Sequence, residues 1–139
     1  MAESGYSGTP QLKKLGIKPG LRLVVVDAAE DWDFAEPLDG VELVPPGATD
    51  VALVFVRSAA LLEGMVTWGE WIFPAGSLWV AWPRKASGHL SDVDENAIRD
   101  TALELGLVDV KVAAIDTDWS GLKIMWRKEN RVRKENRTR

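Results

Sequence analysis

The sequence has no cysteine among its 139 residues and only one histidine. The absence of cysteine excludes a disulfide framework, a thiolate metal site and a cysteine nucleophile. Long apolar runs are also missing, since none approaches the roughly 18 residues that a membrane-spanning helix needs. The first residues lack the basic and apolar regions of a secretory signal peptide. We therefore predict a cytoplasmic protein that makes no contact with a membrane.

Positive charge is scarce except at the carboxyl end of the chain. Lys and Arg number 17 against 21 Asp and Glu, which gives a formal net charge of −4. Residues 127–139 hold seven basic and two acidic groups, so the rest of the chain holds ten and nineteen. An acidic body repels nucleic acid. The basic end is either a solvated, disordered tail or an arm that makes weak contact with nucleic acid or an acidic partner.

The composition is that of a single soluble globular domain, with 46% apolar and 27% charged residues. Residues 1–8 are small and polar, which predicts a disordered N-terminus. Apolar runs alternate with turn signals over residues 9–127, which predicts one α/β domain. Residues 128–139 form the basic C-terminal tail, for which we expect disorder or a solvated helix.

Six apolar runs predict six strands, at 21–26, 41–44, 51–56, 77–82, 109–115 and 122–126. Helices are predicted at 11–15 with Thr9 as N-cap, after Ser58, and after Ser91, where Asp94 completes a capping-box pattern. Residues 28–38 form either a short helix or an ordered loop. Strands separated by helices indicate a mainly parallel sheet. The short turn at 116–121 predicts that the last two strands form an antiparallel hairpin.

This succession resembles the class I methyltransferase fold, a three-layer, Rossmann-like architecture. The run Phe73-Pro74-Ala75-Gly76-Ser77-Leu78-Trp79-Val80 is similar to the passage from a helix through Pro-Gly-Gly into a strand in that fold. The resemblance covers residues 12–127 and implies that the last strand inserts beside the fourth. Methyltransferases have seven strands and a glycine triplet after the first strand, where the backbone approaches adenosylmethionine. Here we count six strands, and residues 26–33 contain no glycine, so the cofactor stays unknown.

The sequence also resembles a family of small bacterial proteins that carries a domain of unknown function. The similar segments are Thr9-Pro10 with residues 13–20, then Leu78-Trp79-Val80-Ala81-Trp82-Pro83-Arg84-Lys85-Ala86-Ser87-Gly88, and residues 108–112 through 119–123. Together they span nearly the whole chain. The resemblance implies an α/β fold and a bacterial cytosolic setting, and it implies no activity.

Charged and polar residues follow the predicted strands, where ligands bind in open α/β sheets. The predicted hairpin would bring its own polar residues to the same edge. We expect this edge to bind a small anionic ligand or a protein partner such as an acidic peptide. The candidate ligand-binding residues are Asp27, Arg57, Arg84, Lys85, Ser87, Trp119, Ser120 and Lys123. The alternative is that Arg84 and Lys85 pair with Asp27, Asp116 or Asp118 and only solvate the end of a strand.

Other residues carry weaker functional hypotheses. His89, near Ser87, is either a general base or a surface residue, and no carboxylate at a fixed spacing orients it. The acidic residues at 92, 94 and 95 are explained by the start of a helix, so we predict no metal site. Trp79 is predicted to lie in the core, and Trp82 in the core or in a pocket wall. We predict no catalytic residue.

We therefore interpret the sequence as a non-catalytic binding or regulatory protein that uses the carboxyl edge of its sheet. One alternative is a divergent adenosylmethionine-dependent methyltransferase that uses the same edge. A second alternative is an interaction protein, in which Trp68 and Trp71 lie on an exposed helix face.

Overall fold

Six strands form one sheet in the computed structural model, which describes residues 9–85 and 91–132. The strands are β1 (Arg22–Val26), β2 (Glu42–Leu43), β3 (Val51–Phe55), β4 (Ser77–Pro83), β5 (Leu107–Ala114) and β6 (Trp119–Trp126). The helices are α1 (Gln11–Leu15), α2 (Met65–Ile72) and α3 (Glu95–Glu104), and 3-10 turns lie at Ala59–Gly64 and Lys128–Asn130. None of the helices described is long and apolar enough to cross a bilayer.

The strands lie in the spatial order β2-β1-β3-β4-β6-β5. The first four strands are parallel to one another, whereas β6 runs antiparallel to both β4 and β5. The pairing of β6 with β4 extends from Leu78 opposite Ile124 to Pro83 opposite Trp119. The predicted architecture is therefore confirmed: an α/β, mainly parallel sheet that ends in an antiparallel hairpin, with its last strand beside β4.

The two faces of the sheet are covered differently. On the first face, α2, α3 and the turn at Ala59–Gly64 pack against the strands. On the second face, α1 and the segment between β1 and β2 cover a separate core, and this segment contains no helix. Every residue of β3 is buried because both faces are covered, which is why its sequence is a continuous apolar run. Of the two alternatives for residues 28–38, the ordered loop is correct.

Two predicted helix caps are wrong. The N-cap of α1 is Pro10 rather than Thr9, and the backbone N–H groups of Gln11 and Leu12 donate to the Glu36 carboxylate at 3.0 and 2.9 Å. At the start of α3, the N-cap is Asp94 rather than Ser91, and its carboxylate accepts from the N–H of Ala97 at 2.9 Å. At α1, the Glu36 carboxylate, which is distant in sequence, takes the place of the predicted Thr9 side chain as the acceptor. At α3, an aspartate three residues after Ser91 is an equally strong cap.

The exposed tryptophan face proposed for the second helix is also wrong. Trp68 is 9% exposed and packs against Gly64, where an added Cβ would lie 2.8 Å from the indole ring. Trp71 is half-buried and packs against the core of the first face. The spacing of the two residues turns both indoles toward the sheet, so Leu61 and Val66 are the exposed apolar residues of this region.

The chain after β6 turns back and contacts the end of the sheet. The Asn130 Nδ2 donates to the Gly106 carbonyl at 2.9 Å, and the Arg131 Nε donates to the Trp126 carbonyl at 3.0 Å. Residues 1–8, 86–90 and 133–139 lie outside the described residues. The weak nucleic-acid contact of the basic tail therefore stays a prediction.

A charged bridge ties α3 to β5 and predicts acid sensitivity. Arg99 donates to Glu95 on its own helix and to Asp109 on β5, the latter at 3.0 Å, and this hydrogen bond lowers the pKa of Asp109. A carboxylate with a lowered pKa stabilises the fold above its unfolded value, near 4, and this contribution is lost as the pH falls through the folded value. We expect Asp109→Asn to be less stable than wild type at pH 7, with a stability gap that shrinks as the pH falls below about 4 through the lowered pKa of Asp109. Urea titrations at pH 7 and at a series of lower pH values measure this, with exposed Asp100→Asn as control. A stability gap that persists at low pH would contradict the assignment.

Candidate functional site

The parallel strands place several predicted site residues along one edge of the sheet. Asp27 follows β1, Arg57 lies shortly after β3, and Arg84 and Lys85 follow β4 directly. The turn between β5 and β6 reaches the same edge, because the backbone N–H of Arg84 donates to the Asp118 carbonyl at 2.8 Å. This group of residues is therefore assembled as the sequence predicted, at the carboxyl ends of the strands.

Arg57 connects the loop after β1 to the hairpin. Its Nη1 donates to the Asp27 carbonyl at 3.2 Å, and its guanidinium carbon lies 4.9 Å from the centroid of the Trp119 ring. A guanidinium at this distance over an indole makes a cation–π contact. Arg57 therefore brings exposed Asp27 and buried Trp119 together by contacting both of them.

Trp119 lies in the core. It is the first residue of β6, so the prediction that it lies in the turn is wrong, and it is only 4% exposed. Its ring meets Phe55 edge-to-face at 4.9 Å, Phe55 meets Trp32 at 4.9 Å, and Trp32 meets Phe34 at 4.8 Å. These four residues form an aromatic chain that fills the second face of the sheet near the carboxyl edge.

The carboxylate of Asp116 fixes this aromatic chain to the hairpin. It accepts from the Trp32 indole Nε1 at 2.8 Å and from the backbone N–H groups of Asp118 and Trp119 at 2.8 and 2.9 Å. Arg84 reaches Asp116 through the main chain, with its Nη1 donating to the carbonyl at 3.3 Å. The predicted pairing of Arg84 with this residue thus uses the carbonyl, and the carboxylate holds the loop.

The first face of the same edge carries an open cleft of about 540 Å³. The end of β4, the approach to α3 and one residue of β6 form its walls, and we call it the carboxyl-edge cleft. It is lined by Trp82, Pro83, Arg84, Lys85, Ser91, Asp92, Val93, Asp94 and Ser120. It thus contains three of the predicted ligand-binding residues, Arg84, Lys85 and Ser120. Ser87 and His89 lie outside the described residues.

The two acidic residues of the carboxyl-edge cleft have structural partners. Asp92 accepts from the backbone N–H of Ala59 at 2.7 Å, and Asp94 caps α3 through Ala97. Sequence reasoning assigned both to the start of a helix but did not place them opposite Arg84 and Lys85. The available signal is the short connection from β4 to α3, since eight residues lie between Pro83 and Asp92.

Lys123 does not join the carboxyl-edge cleft. It lies opposite Trp79 in the β4–β6 pairing, four positions before Pro83, which corresponds to about 13 Å along the strand. Its neighbours Leu122 and Ile124 belong to the core of the first face, so strand alternation turns Lys123 to the second face. The prediction that Lys123 lies close to Arg84 and Lys85 is therefore wrong.

No family model matches the chain, and no curated protein matches it. Solved structures share its architecture. An adenosylmethionine-dependent methyltransferase from Aquifex aeolicus has a TM-score of 0.59 at 13% identity, over 84% of this chain and 87% of that one. The fibrillarin pre-rRNA processing protein of Methanococcus jannaschii gives 0.54 at 13% identity, over 79% and 68%. LepI in complex with S-adenosylhomocysteine and a substrate analogue gives 0.52 at 13% identity, over 84% and 39%. At these identities the likeness shows the methyltransferase-like fold alone, and this chain spans well under half of LepI.

The segment after β1 does not fit the adenosylmethionine loop that this fold implies. Asp27 adopts a left-handed conformation, with φ of 62°, at a position where glycine is the ordinary choice. Ala28, which follows it, packs into the core of the second face, and Trp32 and Phe34 fill the space beyond. Side chains thus stand where a bare backbone would have to approach the cofactor.

Proposed function

We propose that this chain is a non-catalytic binding protein that holds a small anion-bearing ligand in the carboxyl-edge cleft. The observation that carries the proposal is the convergence of two cations, a hydroxyl and an indole, Arg84, Lys85, Ser120 and Trp82, on one cleft. Its volume of about 540 Å³ lies within the range of small-molecule sites.

The side chains of the cleft indicate the chemistry of the ligand. Arg84 and Lys85 would neutralise a phosphate or carboxylate group, and the Ser120 hydroxyl would donate to it. Trp82 is half-buried, and its indole would form an apolar wall against a planar ring. We therefore propose a ligand that carries both an anionic group and a flat ring.

Binding is proposed ahead of catalysis because of how the carboxylates in the cleft are used. Asp92 and Asp94 accept backbone N–H groups and fix the beginning of α3, which is a structural role. A general base must reach the proton that it removes. Asp92 and Asp94 therefore hold the backbone that forms one wall of the carboxyl-edge cleft, and we assign neither of them as a general base.

The second candidate function is a divergent methyltransferase, and the observation that favours it is the fold shared with adenosylmethionine-dependent enzymes. Such an enzyme would use the same edge of the sheet. The aromatic chain and the left-handed Asp27 oppose it, because they occupy the place of the cofactor loop. The two candidates therefore predict different contacts. A ligand in the carboxyl-edge cleft would contact Trp82, whereas adenosylmethionine would contact Trp32 and Trp119.

We expect adenosine monophosphate at millimolar concentration to shift the NMR signal of the Trp82 indole N–H, because its phosphate would meet Arg84 and Lys85 while its ring approaches Trp82. Trp82→Phe assigns the signal among the seven tryptophans. Adenosine without the phosphate should give a much smaller shift. Lys85→Gln should weaken the binding of adenosine monophosphate by about tenfold, since it removes a charged contact. Exposed Lys18→Gln, with the same change of charge far from the cleft, should leave it unchanged.

Two results would overturn the proposal. One is the absence of any Trp82 shift with adenosine monophosphate at millimolar concentration. The other is a shift of the Trp32 and Trp119 indoles with adenosylmethionine, because those residues lie where the methyltransferase cofactor would enter. The second result would favour the divergent enzyme.

A further inference from the structure

Four lysines converge on the second face of the sheet, away from the carboxyl-edge cleft. Lys13 and Lys14 come from α1, Lys111 from β5 and Lys123 from β6, and we call them the lysine cluster. Lys111 lies directly opposite Lys123 in the strand pairing. The Lys14 Nζ donates to the Ala114 carbonyl at 2.9 Å, which holds this amine against β5. Lys123 reaches the end of α1, since its Nζ would lie 4.0 Å from a Cβ at Gly16.

Three members of the lysine cluster line one open cleft. Lys13, Lys14 and Lys111 surround about 480 Å³ together with Thr9 and the β5 residues 112–114. Helix α1 forms one wall and the edge strand β5 forms the other. Exposed Lys13 and Lys111 and part-buried Lys14 thus border one open, concave surface.

The lysine cluster concentrates like charge in a chain that is otherwise acidic. Burial and the neighbouring charge of Lys111 both lower the pKa of Lys14 and of Lys123. Glu36 opposes this effect at Lys14, but its two carboxylate oxygens accept the first N–H groups of α1. Like charges directly opposite each other in a sheet are destabilising. The pairing of β5 with β6 therefore places two like charges, Lys111 and Lys123, directly opposite each other.

We propose that the lysine cluster binds the diphosphate or triphosphate group of a small ligand. Lysine amines are point charges that suit phosphate, and several amines around one cleft suit several linked phosphates. The cleft has the size of a small-molecule site. The acidic body would repel a long polyanion such as nucleic acid, so a small ligand is the better fit. This inference is independent of the proposed function, because the two clefts lie on opposite faces of the sheet.

The test uses pyrophosphate and tripolyphosphate as probes on the full chain, with calorimetric titration and thermal unfolding as readouts. Lys111→Gln is the decisive variant, because this exposed side chain can be replaced without loss of packing. Without a probe, we expect Lys111→Gln to raise the Tm by about 1–4 °C, since it removes the like-charge pair. We also expect the Kd of Lys111→Gln for either probe to be about tenfold or more above that of the wild type, because a charged contact is lost.

Two matched variants separate this site from general charge effects. Lys18→Gln should bind tripolyphosphate as wild type does. Lys85→Gln should weaken the binding of adenosine monophosphate at the carboxyl-edge cleft, whereas Lys111→Gln should leave the shift of the Trp82 signal with adenosine monophosphate unchanged, so the two proposals can fail separately. The inference is overturned if Lys111→Gln binds tripolyphosphate with the wild-type Kd, or if Lys18→Gln loses as much binding as Lys111→Gln. Tighter binding of a short oligothymidylate than of tripolyphosphate, lost in Lys111→Gln, would overturn the small-ligand assignment in favour of nucleic acid.

Discussion

Trp79→Ala is expected to reduce the free energy of unfolding by about 3–5 kcal/mol, a large part of the roughly 5–15 kcal/mol that stabilises a typical domain. Trp79 lies in the middle of β4, is 0% exposed, and is the largest fully buried side chain on the second face. Its Nε1 donates to the Leu15 carbonyl at 2.9 Å, so it also ties α1 to the sheet. Urea unfolding followed by far-ultraviolet circular dichroism measures the loss.

Trp79→Phe separates the packing of the ring from its hydrogen bond. It keeps most of the apolar volume but leaves the Leu15 carbonyl without its donor, for which we expect a cost of about 1–3 kcal/mol. Trp71→Phe, at a half-buried position on the other face, is the control and should cost less. A loss below about 1 kcal/mol for Trp79→Ala would contradict the core placement, since a cavity of that size cannot form so cheaply.

Trp79 also shows why most of the fold could be predicted from the sequence. Its strand is a short apolar run bounded by Pro74-Ala75-Gly76 and Pro83, so both its identity and its limits were visible locally. Gln11 shows the opposite case. This buried amide donates to the Ile115 carbonyl at 2.8 Å and accepts from the N–H of Ala35 at 2.7 Å. Both contacts join residues far apart in sequence, and no local pattern encodes them.

Part of the candidate site could likewise be predicted from the sequence, and part of it could not. Arg57, Arg84 and Lys85 could be placed because parallel strands bring their carboxyl ends to one edge. Lys123 could not, because in an antiparallel pair each residue along β6 lies one position further from that edge. The lysine cluster was missed because its members come from three separate elements. Only the pairing of β5 with β6 and the position of α1 bring them together.

Asp116→Ala is expected to destabilise the protein by about 2–4 kcal/mol. The carboxylate accepts three hydrogen bonds, from Trp32, Asp118 and Trp119, and bonds to a charged acceptor are worth about 1.5–3 kcal/mol each. The total is smaller than the sum because the three bonds act as one unit. Asp116→Asn should cost less, since its amide oxygen still accepts the two backbone N–H groups. Its amide nitrogen would face the Trp32 indole N–H, donor against donor, so that contact is lost in both variants. Urea unfolding gives the energies, and the Trp32 indole signal reports the broken contact.

Asp116→Ala also tests whether the loop after β1 excludes adenosylmethionine. Asp116 holds Trp32 against the hairpin, and Trp32 in turn packs on Phe55, so loss of the carboxylate should free the loop from the sheet edge. If the aromatic chain alone blocks the cofactor, Asp116→Ala would bind adenosylmethionine while the wild type does not. We expect neither protein to bind it, because the left-handed Asp27 and the partly buried Ala28 still occupy the place of the glycine loop. Calorimetric titration of both proteins with adenosylmethionine decides this. Binding by the wild type would contradict the misfit and favour the methyltransferase alternative over the proposed binding function.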